Sequence, residues 1–198
     1  MKTKVKSHLR KTKKGKRRVR QHYRKIKGGL IPKDKRKIFE FFAKQDIEYG
    51  GDMDFGEKKN KRFNKLQRFN THIGSPGFVD LPDDYEVAWH VHPGYGYKTP
   101  SQEDMADFIH DLGNQAHIIF SGNTAISVVK TKKSNQLKKL SKKNLEKRYD
   151  SLYNNLENKK FNTKTIENIF INQLKKDGFK VLIHKKDAPI RLPIKVVE

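Results

Sequence analysis

The run Trp89-His90-Val91-His92-Pro93, followed after seven residues by Ser101-Gln102-Glu103-Asp104, sets two imidazoles, a hydroxyl and a carboxylate in one short stretch of chain. In a strand from Tyr85 to Val91, side chains two apart share a face, so His90 and His92 point together while Val87, Trp89 and Val91 take the apolar side. Ser101 to Leu112 reads as a helix, because Met105, Phe108, Ile109 and Leu112 recur at offsets of three and four. Asp104 then lies in its first turn, where the Gly/Tyr/Pro loop can return it to the strand end. Two His and one Asp leave a fourth tetrahedral position for water, as in a catalytic rather than a structural zinc site.

His-x-His alone is a weak signal: eight histidines in 198 residues give roughly 0.3 such pairs by chance. Ser101-x-x-Asp104 also reads as a capping box opening a helix, with no metal required. The two readings are compatible, since a cap that fixes the helix start also fixes Asp104. The conjunction of both halves around Pro93 and a short loop carries the weight.

His90-x-His92-Pro93, the gap and Ser101-x-x-Asp104 resemble the signature of the JAMM (MPN+) zinc metalloproteases, over roughly residues 35–130. That family removes ubiquitin or ubiquitin-like proteins from lysines, or performs related peptidase reactions. The resemblance implies zinc ligation by His90, His92 and Asp104. It also implies a glutamate on an earlier strand, a position matched by Glu48 in Asp46-Ile47-Glu48-Tyr49-Gly50-Gly51. Zinc lowers the pKa of bound water to about 7, and a carboxylate beside it can take the proton and return it to the leaving amine. The resemblance gives that role to Glu48 and gives Ser101 the oxyanion hydrogen bond.

Glu86 shares strand parity with His90 but stands about 13 Å away along an extended chain, so Glu48 is the preferred base. Glu40 and Glu57 read as solvated charges. His8 and His22 sit among Lys and Arg, His110 on the polar side of its helix, and His72, His117 and His184 in or beside strands, where a structural role is the default.

The elements that must position these groups follow from the pattern. A helix over 36–44 has one apolar face. A strand over 45–55 carries Glu48, a turn follows at 57–60 and a strand at 63–73. Loops at 74–77 and 81–84 precede the His strand. After the Asp104 helix come strands at 116–120 and 125–130, a long helix over 135–159, a helix over 165–176 ended by Gly178, and a strand over 179–184. Pro189 and Pro193 confine the tail to an edge or extended segment. The expectation is an α/β fold, a mixed β-sheet flanked by helices of JAMM/MPN type, divided into a basic arm (1–29), a metalloprotease core (30–131) and a C-terminal helical extension with a terminal strand (132–198). No internal repeat is expected.

Charge is uneven. Residues 1–27 hold 14 Lys and Arg and no acid, whereas residues 72–125 hold one basic residue against eight acids, within a chain of formal charge +23. The arm is poor in apolar residues, so disorder is expected there, with attraction to nucleic acid or another polyanion. The acidic centre favours a lysine-bearing or basic polypeptide over a phosphate backbone. The chain has no cysteine, so disulfides and thiolate zinc sites are excluded. No apolar run has transmembrane length and no signal peptide is evident, so a soluble cytoplasmic protein without a membrane partner is expected.

The leading expectation is therefore a zinc metallopeptidase or isopeptidase acting on a protein substrate such as a ubiquitin-like conjugate. The alternative is a nucleic-acid-associated protein that uses a JAMM-like scaffold and works through its arm. A third reading makes the arm itself a substrate, because Gly28-Gly29 resembles the end of a ubiquitin-like tail.

Overall fold

The computed structural model describes residues 3–5, 8–12, 15–19, 22–24, 28–55, 64–75, 79, 87–93, 97–111, 113–159 and 161–194. The turn expected at 57–60, the loop at 81–84, Glu57 and Glu86 lie outside them.

The basic arm, expected to be disordered, carries four short strands: β1 (Thr3–Val5), β2 (His8–Thr12), β3 (Gly15–Val19) and β4 (His22–Arg24). β1 pairs with β4 and β2 with β3, both antiparallel. β-branched Thr and Val recur through the segment, so it has strand propensity despite its charge. A hairpin closes its backbone hydrogen bonds locally, without needing an apolar core.

The body of the molecule opens with β5 (Gly29–Ile31) and α1 (Lys33–Phe42). β6 (Tyr49–Phe55), β7 (Asn64–Phe69), β8 (His72–Ile73) and β9 (Val87–His92) follow, then α2 (Gln102–His110) and the hairpin of β10 (Ala116–Ser121) and β11 (Thr124–Val129). A 3-10 turn (Ser134–Lys139) leads to α3 (Lys142–Asn158), α4 (Thr163–Lys176), β12 (Lys180–His184) and β13 (Ile190–Leu192). The long helix expected over 135–159 is thus broken in two. Leu140 is extended, and Ser141 caps the new start by accepting the Asn144 amide on its hydroxyl, a local bond that competes with a continuous helix.

Nine strands form one mixed sheet in the order β12-β11-β10-β9-β6-β7-β5-β13, with β8 also on β6. β9 and β10 run parallel, with α2 as their crossover; β10 and β11, and β6 and β9, run antiparallel. β12 and β13 are joined by a short turn yet stand at opposite ends of the order, so the sheet curls into a nearly closed barrel. Strands from both sides of the expected boundaries, β5 and β13 among them, share this sheet.

Each face of the sheet has its own core. On one, Phe39 of α1 stacks on Phe120 and meets Trp89 edge-on, among Val87, Val91, Ile118 and Ile31. On the other, Met105, Phe108 and Ile109 of α2 pack with Ile119, Tyr149, Tyr153 and Phe170, so α3 and α4 cover the same face as α2. Arg36 fastens α1 across the barrel seam. Its guanidinium, 1 % exposed, donates to the carbonyls of Asn123, Lys185 and Ala188 and pairs with Glu40 at 2.7 Å. Glu40 is therefore an ion-pair partner within α1, contrary to the expected solvated charge. Gly178, at φ 94, ends α4 as expected.

Gly28 and Gly29 are buried, and Gly29 is already paired in β5 between β7 and β13. A Cβ on Gly29 would lie 2.7 Å from the Phe55 ring, so that close approach calls for glycine. The two glycines that resembled the end of a ubiquitin-like tail are thus buried at the start of the sheet.

Candidate metal centre

The period-two alternation of β9 delivers both imidazoles to the α2 side of the sheet, His90 fully buried and His92 partly exposed at the strand end. Ser101 is the N-cap of α2 and Asp104 its third residue, in a complete capping box. The Ser101 hydroxyl accepts the Asp104 amide at 3.0 Å, and Asp104 Oδ2 accepts the Ser101 amide at 2.7 Å. Capping and convergence on the histidines coexist, because Asp104 Oδ2 also lies 3.5 Å from His90 Nε2 and 3.8 Å from His92 Nε2. The two Nε2 atoms are 2.7 Å apart.

These three side chains can hold a metal ion, their donor atoms all lying within 4.8 Å of one another. Tetrahedral zinc with bonds of about 2.0–2.1 Å puts neighbouring donors about 3.3 Å apart. Both His–Asp separations are close to that value, and the His–His separation must widen by roughly half an ångström. The donor set, two imidazoles and one carboxylate, is one that zinc accepts.

The second imidazole nitrogens explain how the donors are aimed. His92 Nδ1 faces the Tyr97 carbonyl at 2.5 Å, an acceptor only, so Nδ1 carries the proton and Nε2 offers its lone pair. His90 Nδ1 lies 2.7 Å from His117 Nε2. With a cation on His90 Nε2, the Nδ1 proton is donated to His117, which must then be the Nδ1-H tautomer. His117 was expected to be merely structural. Its sequence signal was parity: Ala116, Ile118 and Phe120 line the α1 core, so His117 and Ile119 must face α2.

Electrostatics follow from burial and mutual charge. Burial pulls His90 well below the ordinary imidazole value and His117 to about 4, so both are neutral near pH 7. For His92 burial acts downward, but the Asp104 carboxylate, the Tyr97 carbonyl and Glu48 outweigh it and raise the imidazole. Burial acts upward on Asp104, yet His90, His92 and His117 together hold it well below the carboxylate range.

Glu48 stands immediately before β6 rather than inside a strand. Its backbone is nonetheless pinned, the amide donating to the Ser75 carbonyl at 3.2 Å and the carbonyl accepting from Gly74 at 2.9 Å. It is half-buried, and its charge couples to those of His92 and Asp104. Burial, opposed by His92 and reinforced by Asp104, holds its carboxyl above the ordinary value.

The C-terminal helices reach this site through two side chains. The Tyr153 hydroxyl of α3 shares a hydrogen bond with Thr99 Oγ1 at 2.7 Å and donates to the Pro100 carbonyl at 3.1 Å. Glu167 of α4 accepts the Lys98 amide at 2.9 Å. The loop that delivers Ser101 and Asp104 is therefore held by α3 and α4, which sequence reasoning left without a task. Of the other histidines, His110 bonds the Leu140 carbonyl, His184 the Ser127 hydroxyl, and His72 is exposed.

No family model, curated protein or solved structure matches this chain. Fold and site together define a mixed α/β protein with a His/His/Asp group able to hold a metal ion, the only such group found among the described residues. None of the described helices is long and apolar enough to cross a membrane.

Proposed function

We propose that this chain is a zinc-dependent metallopeptidase or isopeptidase of JAMM type, hydrolysing the bond between a carbonyl and a lysine or backbone amine of a protein substrate, including a ubiquitin-like conjugate. The observation that carries this reading is the convergence of His90, His92 and Asp104, with the Glu48 carboxyl, immediately before β6, electrostatically coupled to His92 and Asp104. A mixed sheet flanked by helices supports it.

His90, His92 and Asp104 would hold the ion. When bound, zinc supplies Lewis acidity and an acidified water. Glu48 takes the proton of the attacking water on its carboxylate and returns it to the leaving amine, a task suited to a carboxyl held above its ordinary value. Ser101 Oγ already accepts the Asp104 amide, which leaves its own proton free to stabilise the oxyanion. Exposed Glu103 on α2 adds negative charge beside the site, in keeping with a basic polypeptide substrate.

The test is cleavage of a panel of ubiquitin-like conjugates and linear peptides by the zinc-loaded protein and its Glu48→Gln variant. The variant is expected to keep its zinc and lose about 100- to 10,000-fold in rate, the usual contribution of a general base. Equal rates for the two proteins, or no cleavage of any substrate by the wild type, would overturn the proposal.

A further inference from the structure

We propose that the N-terminal strand pairs form one basic, pseudo-twofold β-ribbon that docks in the major groove of a B-form DNA duplex. In both ladders the numbers of facing residues add to the same constant, from Thr3 opposite Arg24 to Thr12 opposite Gly15. The two ladders are thus in register with a single hairpin. Among the described residues, neither pairs with the nine-stranded sheet.

The register brings out a repeat where none was expected. Val5-Lys6-Ser7-His8-Leu9-Arg10-Lys11 recurs fourteen residues later as Val19-Arg20-Gln21-His22-Tyr23-Arg24-Lys25, a duplicated Val-x-x-His-x-Arg-Lys with a basic residue after each Val. The Val and His of one copy face the His and Val of the other antiparallel, Val5 opposite His22 and His8 opposite Val19. Exchanging the strands maps one pair onto the other, so the ribbon has a local dyad. A generic solubilising tail has no need of such symmetry.

Double-stranded DNA offers matching symmetry, since its antiparallel backbones are related by dyads along the groove, and two-fold readers align with them. Charge is complementary, with 14 Lys and Arg and no acid in residues 1–27. Size agrees too. As one continuous strand, the ten residues from Thr3 to Thr12 would extend about 34 Å, near one helical turn of DNA. The B-form major groove, about 12 Å wide, admits a two-stranded ribbon, whereas the major groove of an RNA duplex is too narrow. A membrane surface would supply charge without a dyad. This inference is independent of the peptidase reading, because the ribbon uses none of its residues.

The test is fluorescence anisotropy of the full-length chain with a DNA duplex of about two turns, the matching RNA duplex, the single strand and phosphatidylserine vesicles, over a salt series. DNA duplex is expected to bind at least tenfold tighter than the other three. Arg10→Gln with Lys11→Gln, and Arg24→Gln with Lys25→Gln, should weaken binding equally, each pair lowering the log–log salt slope by about 2. Exchanging neighbours, Arg18→Val with Val19→Arg, keeps the charge but breaks the repeat, and should cost at least tenfold in DNA affinity. RNA, single strand or vesicles binding as tightly as DNA would overturn the proposal. So would one copy carrying the whole effect, or the exchanged variant binding like wild type.

Discussion

β9 turns Val87, Trp89 and Val91 toward α1 and His90 and His92 toward α2, so one six-residue strand serves two unlike environments. On the α1 side the cluster around β9 is apolar and aromatic, and Phe39, Phe120 and Phe69 surround the Trp89 ring within 6.5 Å. On the α2 side His90, His117 and Asp104 interrupt an otherwise apolar core. Burying such groups is costly unless they are hydrogen-bonded or hold a cation. The first face stabilises the fold by burial alone, whereas the second spends part of that burial on keeping three donors aligned. A strand with period two can do both because adjacent residues never share a side.

This contrast can be broken from either face. Asp104→Asn should have the largest effect on the metal side, weakening zinc by more than about 100-fold, since even outer hydrogen-bond partners of ligands contribute 10- to 100-fold. It leaves an amide oxygen able to cap α2, so the melting temperature of the metal-free protein should change little; a large drop would mean that Asp104 serves mainly as a cap. Trp89→Ala, on the other face, is expected to lower the unfolding free energy by about 3–5 kcal/mol in a denaturant titration. Chains that remain folded should bind zinc in undiminished stoichiometry, and loss of the metal in folded protein would show that the two faces are not separable.

His117→Phe sharpens the comparison, because it makes the second face resemble the first. Zinc affinity by competition with a chelator should fall about 10- to 100-fold, and His117→Gln, which retains an acceptor, should recover part of it. Unchanged affinity in the Phe variant would remove His117 from the site. The smallest effect concerns His184, held near 4 by burial and the Arg36 charge while bonded to the Ser127 hydroxyl at 2.8 Å. The folded chain leaves it neutral between pH 4 and 6.5, where the unfolded chain binds a proton. Stability therefore falls as pH drops through that window. His184→Gln should flatten the slope by one proton, measured as melting temperature against pH, and an unaltered slope would contradict the assignment.

Much of this was legible because its signals are local. His90 and His92 share a face by strand parity, Asp104 lies in the first turn of a capped helix, and Gly178 ends α4 where a left-handed residue is needed. The mixed sheet and its flanking helices follow from the same periodicities. What escaped depends on contacts between distant segments. Arg36 carried no signal of its own, and only the return of residues 185–188 to α1 makes it the clamp of the barrel seam. His117 gained its place from β10 lying parallel beside β9, and Tyr153 from α3 crossing the loop before Ser101. Gly28-Gly29 read as the end of a tail because nothing local announces that Phe55 rests against Gly29. The repeat in the arm was visible in the letters, but it took the hairpin register to set the copies face to face.

Whether His90, His92 and Asp104 together hold one divalent cation is decided by the metal content of purified, chelator-stripped protein after reloading with zinc. One zinc per chain is expected for the wild type and for Glu48→Gln, and none retained by His90→Ala or His92→Ala after gel filtration. Zinc bound equally by those two alanine variants, or no stoichiometric zinc in the wild type, would contradict it.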